Sequence, residues 1–482
     1  MPIQFIDNAS IDKKTRTLIR SHAAKGKNLG RSVHRPSRYP RKRQVAASVI
    51  SSGEPSSGEP RSDEEYGSHN GRNLVSIQRQ LQEDLSTSLP FDVSRTCRRL
   101  FYQFVTFMNL VTYPPELRKT VIHADRPRLF LQYAFIDEAF FHCVVAVSVA
   151  TSASIYMTRQ ETVEALCHLS RSLRLVNQRL AGNEDVALSD TTLAVVVAMT
   201  QHERLLGYYH DALVHFEGLQ RIIALRGGIS ALVSNCPGIA QKALRADFDF
   251  ALQLGSPTRF SAECVPGKAT LNWLHEKYRG AKADSPCLLT PIACANKDLL
   301  GVLEDVCTLA WLVNDDDVHG VRIDDYDFHD VLLLVGYRLL DVRPLNTPIE
   351  ASDRIELLLH LGLVALMTKF FFTLGLKPPN VVLLNHCIVS AALERCYDAG
   401  EEQELLLWLL FTGKASVLTG ADEDIWLIPK ISQIANQLDL GTWGHVSRTL
   451  QKFPWVGAFA NDTAQTLWDQ VCSLDSFDSP PV

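Results

Sequence analysis

Residues able to do chemistry stand at a few places in the chain, and each lacks a partner that its chemistry requires. His202-Glu203 begins like a zinc-protease helix, but the position four after His202 is Leu206, so no second ligand shares its face. His210 and His215 are five apart, which separates them around a helix, and they read as helix-surface or interface histidines. Gly267-Lys268-Ala269 and Gly413-Lys414-Ala415 lack the leading Gly and the following Ser/Thr of a phosphate-cradling loop. The acids Asp315-Asp316-Asp317, Asp324-Asp325 and Asp327 would have to hold Mg²⁺ against a diphosphate, with carboxylates about one helical turn apart. The first run ends in Val318-His319, no second Asn/Ser/Glu set follows, and Gly320 points to a loop. A calcium loop fails too, because Tyr326 would fill its last ligand position. These acids read as a solvated loop. No catalytic residue, metal ligand set or cofactor is expected, and a Mg-dependent all-α enzyme is the weakest reading.

Basic residues make a stronger pattern. Residues 1–43 hold five Lys and seven Arg against Asp7 and Asp12, a net of +10. The other 439 residues carry 36 basic and 52 acidic groups, a net of −16, so the overall −6 averages two opposite parts. Lys13, Lys14, Arg16, Arg20, Lys25 and Lys27 surround a thin apolar side on a short helix predicted after Asp12. Arg41, Lys42 and Arg43 are adjacent cations on extended chain, the form that a nuclear import receptor binds. The same nine side chains suit phosphate contact, which releases counterions without reading base sequence. A solvated tail is the alternative.

The rest of the chain must supply the body. Residues 44–73 contain the tandem repeat Ser51–Pro55 and Ser56–Pro60 and too little apolar surface to offset chain entropy, so they read as a disordered linker. Residues 74–482 form the third segment. There helical spacing recurs at about 100–111, 127–157, 160–181, 188–206, 208–226, 239–254, 297–313, 327–341, 352–375, 380–399, 402–419 and 425–438. Period-2 strands are nearly absent, which predicts an all-α domain of about a dozen helices. Gly227-Gly228 should stop one helix. The charge-free stretch Ala139 to Thr158 carries Ser, Thr and His, and Leu357 to Leu376 encloses His360 and Lys369; both read as buried helices and not as membrane spans. Eleven scattered Cys suggest reduced thiols, mostly buried, in a cytosolic or nuclear protein.

Several landmarks resemble a known family. Gln4-Phe5-Ile6-Asp7 with Arg20 to Asn28 resembles the N-terminus of fungal regulator-like proteins without a zinc cluster. His215 to Ile229, which includes Arg226-Gly227-Gly228, is similar to the middle of the fungal-specific transcription factor domain. Leu244-Arg245-Ala246-Asp247 and Leu407-Trp408-Leu409-Leu410-Phe411 look like further landmarks. The resemblance implies an all-helical regulatory domain, usually preceded by a six-cysteine binuclear zinc cluster. The first 96 residues contain no Cys, and Cys287 and Cys294 lack flanking Cys pairs, so that module is not expected. Bottom-up, Phe216, Leu219, Ile222 and Ile223 should form a buried stripe, with Arg221 and Arg226 off it and free to pair with acids.

The resulting expectation is a nuclear transcriptional regulator-like protein with direct but weak, or indirect, DNA contact. A co-regulator or scaffold that never touches DNA is the second reading. The helical body offers faces for a homo- or hetero-oligomer.

Overall fold

The computed structural model describes the chain from Phe91 to Phe477, apart from 92–93, 96, 100, 103, 105–116, 118, 123–130, 156–162, 281–295, 316–320, 348–353, 372–380, 394–396 and 398–399. The chain divides into Met1–Glu83 and Asp84–Val482, and every described residue belongs to the second part. The basic arm, the linker and the N-terminal landmark therefore lie outside the described residues.

Among the described residues, eighteen helices, one of them a 3-10 turn, account for most of the chain. The first predicted long element, 127–157, is divided into α1 (Tyr133–Ile136) and α2 (Glu138–Ile155). Asp137 causes the break: it is extended, its Oδ1 accepts the backbone N–H of Phe140 at 2.8 Å, and its other oxygen holds Arg179 at 2.6 Å. A carboxylate that caps the next helix cannot also continue the previous one. α3 (Val163–Leu180) lies along α2 and presents Ala165, Leu169, Ser172 and Val176 as its buried stripe.

Ser189 caps α5 (Asp190–Leu205), which follows the single turn α4 (Glu184–Ala187). α6 (Tyr209–Leu225) buries Phe216, Leu219, Ile222 and Ile223, the predicted stripe. It stops at Gly227 and Gly228, whose φ values of 92° and 88° suit a residue without Cβ. The chain turns there directly into α7 (Gly228–Asn235) and, with Pro237 in its first turn, into α8 (Pro237–Leu254). A 3-10 turn, Ala262–Cys264, and α9 (Lys268–Lys277) fall in the stretch that sequence alone left irregular.

α10 (Lys297–Asn314) starts on the Asn296 cap and α11 (Asp325–Val342) on Asp324, whose Oδ1 accepts the Tyr326 N–H at 2.9 Å. The only paired strands among the described residues, β1 (Val121–Ile122) and β2 (Ile323–Asp324), are parallel and two residues long. α12 (Arg354–Phe370), α13 (Val382–Leu393), α14 (Gly400–Ser416), α15 (Ala421–Gln437), α16 (Trp443–Leu450) and α17 (Gly457–Phe477) complete the body. The last two extend beyond the predicted helices. α14 is buried almost all round and packs along α12, so hydrophobicity on every face marks a central helix. No helix among the described residues is long and apolar enough to cross a membrane.

Candidate functional sites in the helical body

The segment around the glycine pair is tied down by charge. Arg226 reaches back to Asp190 in the first turn of α5 at 2.6 Å and lies 3.9 Å from Cys236 Sγ, so it staples the α6–α7 turn to the start of α5. The carboxylate also sits at the positive end of the α5 dipole. The expected pairing of Arg226 with an acid is thus present, while Arg221 is exposed. Removing a glycine-bound helix end from solvent by one ion pair is a structural role.

α8 carries the second landmark, and its polar residues are buried. Asp247 accepts the backbone N–H groups of Arg259 and Phe260 and the hydroxyl of Tyr337, each near 2.9 Å. Burial raises its carboxyl above the ordinary value, and those donors oppose the shift. Asp247 therefore fixes the loop after α8 to α11. On the next turn, Asp249 takes a two-oxygen contact from Arg245 Nε at 2.9 Å and a 2.7 Å contact from Arg204 of α5. The Arg245 guanidinium also lies 4.2 Å from the ring centre of Phe371. Arg259 covers the Phe216 ring at 5.5 Å and bonds Gln220. One polar network thus joins α5, α6, α8 and α11 through landmark residues. Its role is structural, holding the helices and the loop after α8 together.

The third landmark is apolar. Trp408 is fully buried on α14, donates its indole N–H to Pro454 O at 3.0 Å, and occupies the space that a side chain at Gly362 of α12 would need.

The sequence-singled acids are parts of helix ends. Asp324 is the α11 cap, Asp325 and Asp327 lie in its first turn, and Asp315 accepts the Tyr278 hydroxyl at 2.9 Å. The three acids at the start of α11 complement its dipole, whereas Asp315 stands at the C-terminal end of α10; Asp316 and Asp317 fall outside the described residues. His202 is buried with its Nδ1 3.2 Å from Glu203, whereas His210 is exposed. His215 is fully buried, which corrects the reading of it as a surface histidine: its ring shares the α6 face with Phe216 and Leu219, and burial pushes its pKa down to about 4. Of eight described cysteines, three are buried, three half-buried, and Cys167 and Cys472 exposed, so fewer are buried than expected. Lys13, Lys14, Arg16, Arg20, Lys25, Lys27, Arg41, Lys42 and Arg43 lie outside the described residues.

One cluster was not singled out from sequence. Cys97, Glu164 and His168 each bring a ligand-type atom within 4.8 Å of the others, a spacing at which a metal ion fits. Glu164 and His168 are four apart on α3, which puts them on one face. That half of the signal was legible; Cys97, 67 residues earlier, was not.

No curated protein and no solved structure matches the chain. Residues 123–355 match the family model described as the fungal specific transcription factor domain. The match takes in the α6–α7 turn and the α8 network, while Leu407 to Phe411 lies beyond it. Residues 123–355, just under half of the chain, are thus similar to the fungal specific transcription factor domain.

Proposed function

We propose that the protein is a nuclear transcriptional regulator in which the helical body receives a partner or signal and the basic arm provides import. The match of 123–355 to a transcription-factor domain is the observation that carries this reading. The split between a +10 arm and a −16 remainder supports the division of labour. Arg41, Lys42 and Arg43 form the receptor-binding stretch, and Lys13, Lys14, Arg16, Arg20, Lys25 and Lys27 add phosphate contacts of low sequence preference.

A fluorescent fusion tests it. The full chain should accumulate in nuclei, and deletion of 1–43 should abolish the accumulation. Equal distribution before and after deletion would refute the import role. The second reading, a co-regulator that never touches DNA, rests on the absence of Cys from the first 96 residues. Binding of purified protein to duplex DNA across a salt series separates the two: a steep salt slope lost with the arm supports direct contact, and no binding at low salt supports the co-regulator.

A further inference from the structure

Nδ1 of His142 on α2 lies 2.7 Å from Nδ1 of His168 on α3, a distance at which one ring donates a hydrogen bond to the other and fixes its orientation. We propose that Cys97, Glu164 and His168 bind a divalent transition ion of the zinc class, which joins the helical stretch after Ser94 to α3.

The geometry is close to that of a bound site. With sulfur at about 2.3 Å and nitrogen or oxygen at about 2.0–2.1 Å from zinc, tetrahedral ligand atoms stand roughly 3.3–3.6 Å apart. Atoms already within 4.8 Å need inward side-chain adjustments of about 1 Å. The donor set, one thiolate, one carboxylate and one imidazole, suits zinc and disfavours magnesium or calcium, which prefer oxygen alone.

Charge balances as well. A thiolate and a carboxylate neutralise a divalent ion, and His168 adds a neutral imidazole. Without an ion, the Cys97 thiol hydrogen-bonds the Glu164 carboxylate. Binding would expel that proton and replace the contact with two bonds to the ion.

Outer residues are in place. The Glu138 carboxylate lies 3.7 Å from His142 Nε2 and is itself paired with Arg171. Glu138 thus stands behind His142, whose ring is held against His168. Ser94 Oγ accepts the Cys97 N–H at 3.1 Å, and Ser94 also hydrogen-bonds Glu164.

The test is a titration of the chelator-treated full chain with Co²⁺. One equivalent should bind, give a near-ultraviolet thiolate-to-cobalt band and the visible bands of a tetrahedral ion, and be displaced by Zn²⁺. Cys97→Ser should abolish the thiolate band. His168→Asn and Glu164→Gln should weaken binding by about 10-fold or more, with the circular dichroism spectrum unchanged. Cys167→Ser should leave the band intact. Should Cys97→Ser fail to fold, the His168→Asn and Cys167→Ser pair decides the matter. Absence of a thiolate band in the parent chain, or a band lost in Cys167→Ser and kept in Cys97→Ser or His168→Asn, would overturn the proposal.

Discussion

Replacing Gly362 by Ala sets two effects of opposite sign against each other. In an exposed helix interior this change stabilises by about 1 kcal/mol, because Ala loses less backbone freedom than Gly. At Gly362 the added methyl would lie 2.0 Å from one Trp408 ring carbon and 2.5 and 2.8 Å from two others. Ordinary carbon contact is about 3.5–4.0 Å, so the indole must retreat by roughly 1.5 Å. The ring has little room: it is fully buried, stacks 5.4 Å from Phe453, and is anchored to Pro454 O. Overpacking of this kind costs about 1–3 kcal/mol. Loss of the indole hydrogen bond in a buried place costs about 1–3 kcal/mol more. Set against the propensity gain, the net expectation is destabilisation of about 1–5 kcal/mol. Urea unfolding followed by circular dichroism measures it, and Trp408→Phe in the Gly362→Ala background should recover part of the loss. A higher midpoint for Gly362→Ala would refute the packing argument.

Further outcomes follow from the same contacts. Asp247→Ala leaves two backbone N–H groups and the Tyr337 hydroxyl without their acceptor, and should destabilise by about 3–5 kcal/mol in the same assay. Arg226→Ala breaks a pair whose acid is 42% exposed, so its cost should stay below about 1 kcal/mol. A reporter that fails in Arg226→Ala while the urea midpoint holds would assign the turn a binding role in addition. His360 is buried and bonds Leu339 O at 3.0 Å; burial lowers its pKa to about 4 from the ordinary 6.5. The unfolded chain then binds the proton first as pH falls, so this stabilisation is complete above about pH 7 and lost between about 6.5 and 4. The stability difference between the parent chain and His360→Gln should narrow by about 3 kcal/mol from pH 7.5 to pH 4.

What sequence alone made legible was local. The α6 stripe and its glycine stop could be read because helical spacing and positive φ leave marks on adjacent residues. The split at Asp137 left no such mark: a carboxylate inside an apolar run looks like a helix residue until Arg179, 42 residues on, is brought against it. α9 was missed because only Leu271 and Leu274 face the core, too thin a stripe to detect. α17 did carry the signal, since Phe459, Ala460, Ala464, Leu467, Trp468 and Val471 have helical spacing. His215 was misplaced because a spacing argument about metal pairs says nothing of which side of α6 meets the core. The Cys97 cluster needed tertiary contact, as α3 displays two of its members and supplies no hint of the third.

The landmark residues serve packing: Arg226 closes a turn and Asp247 holds a loop within the matched domain, and Trp408 beyond it fills a helix crossing. Under the proposed function a partner or signal would meet this scaffold, and regulation would require it to reach chromatin. Genome-wide chromatin occupancy of the tagged chain, with and without residues 1–43, tests this claim most directly. Enriched sites for the full chain that vanish on deletion of the arm are the predicted result. No enrichment for either form would contradict the account.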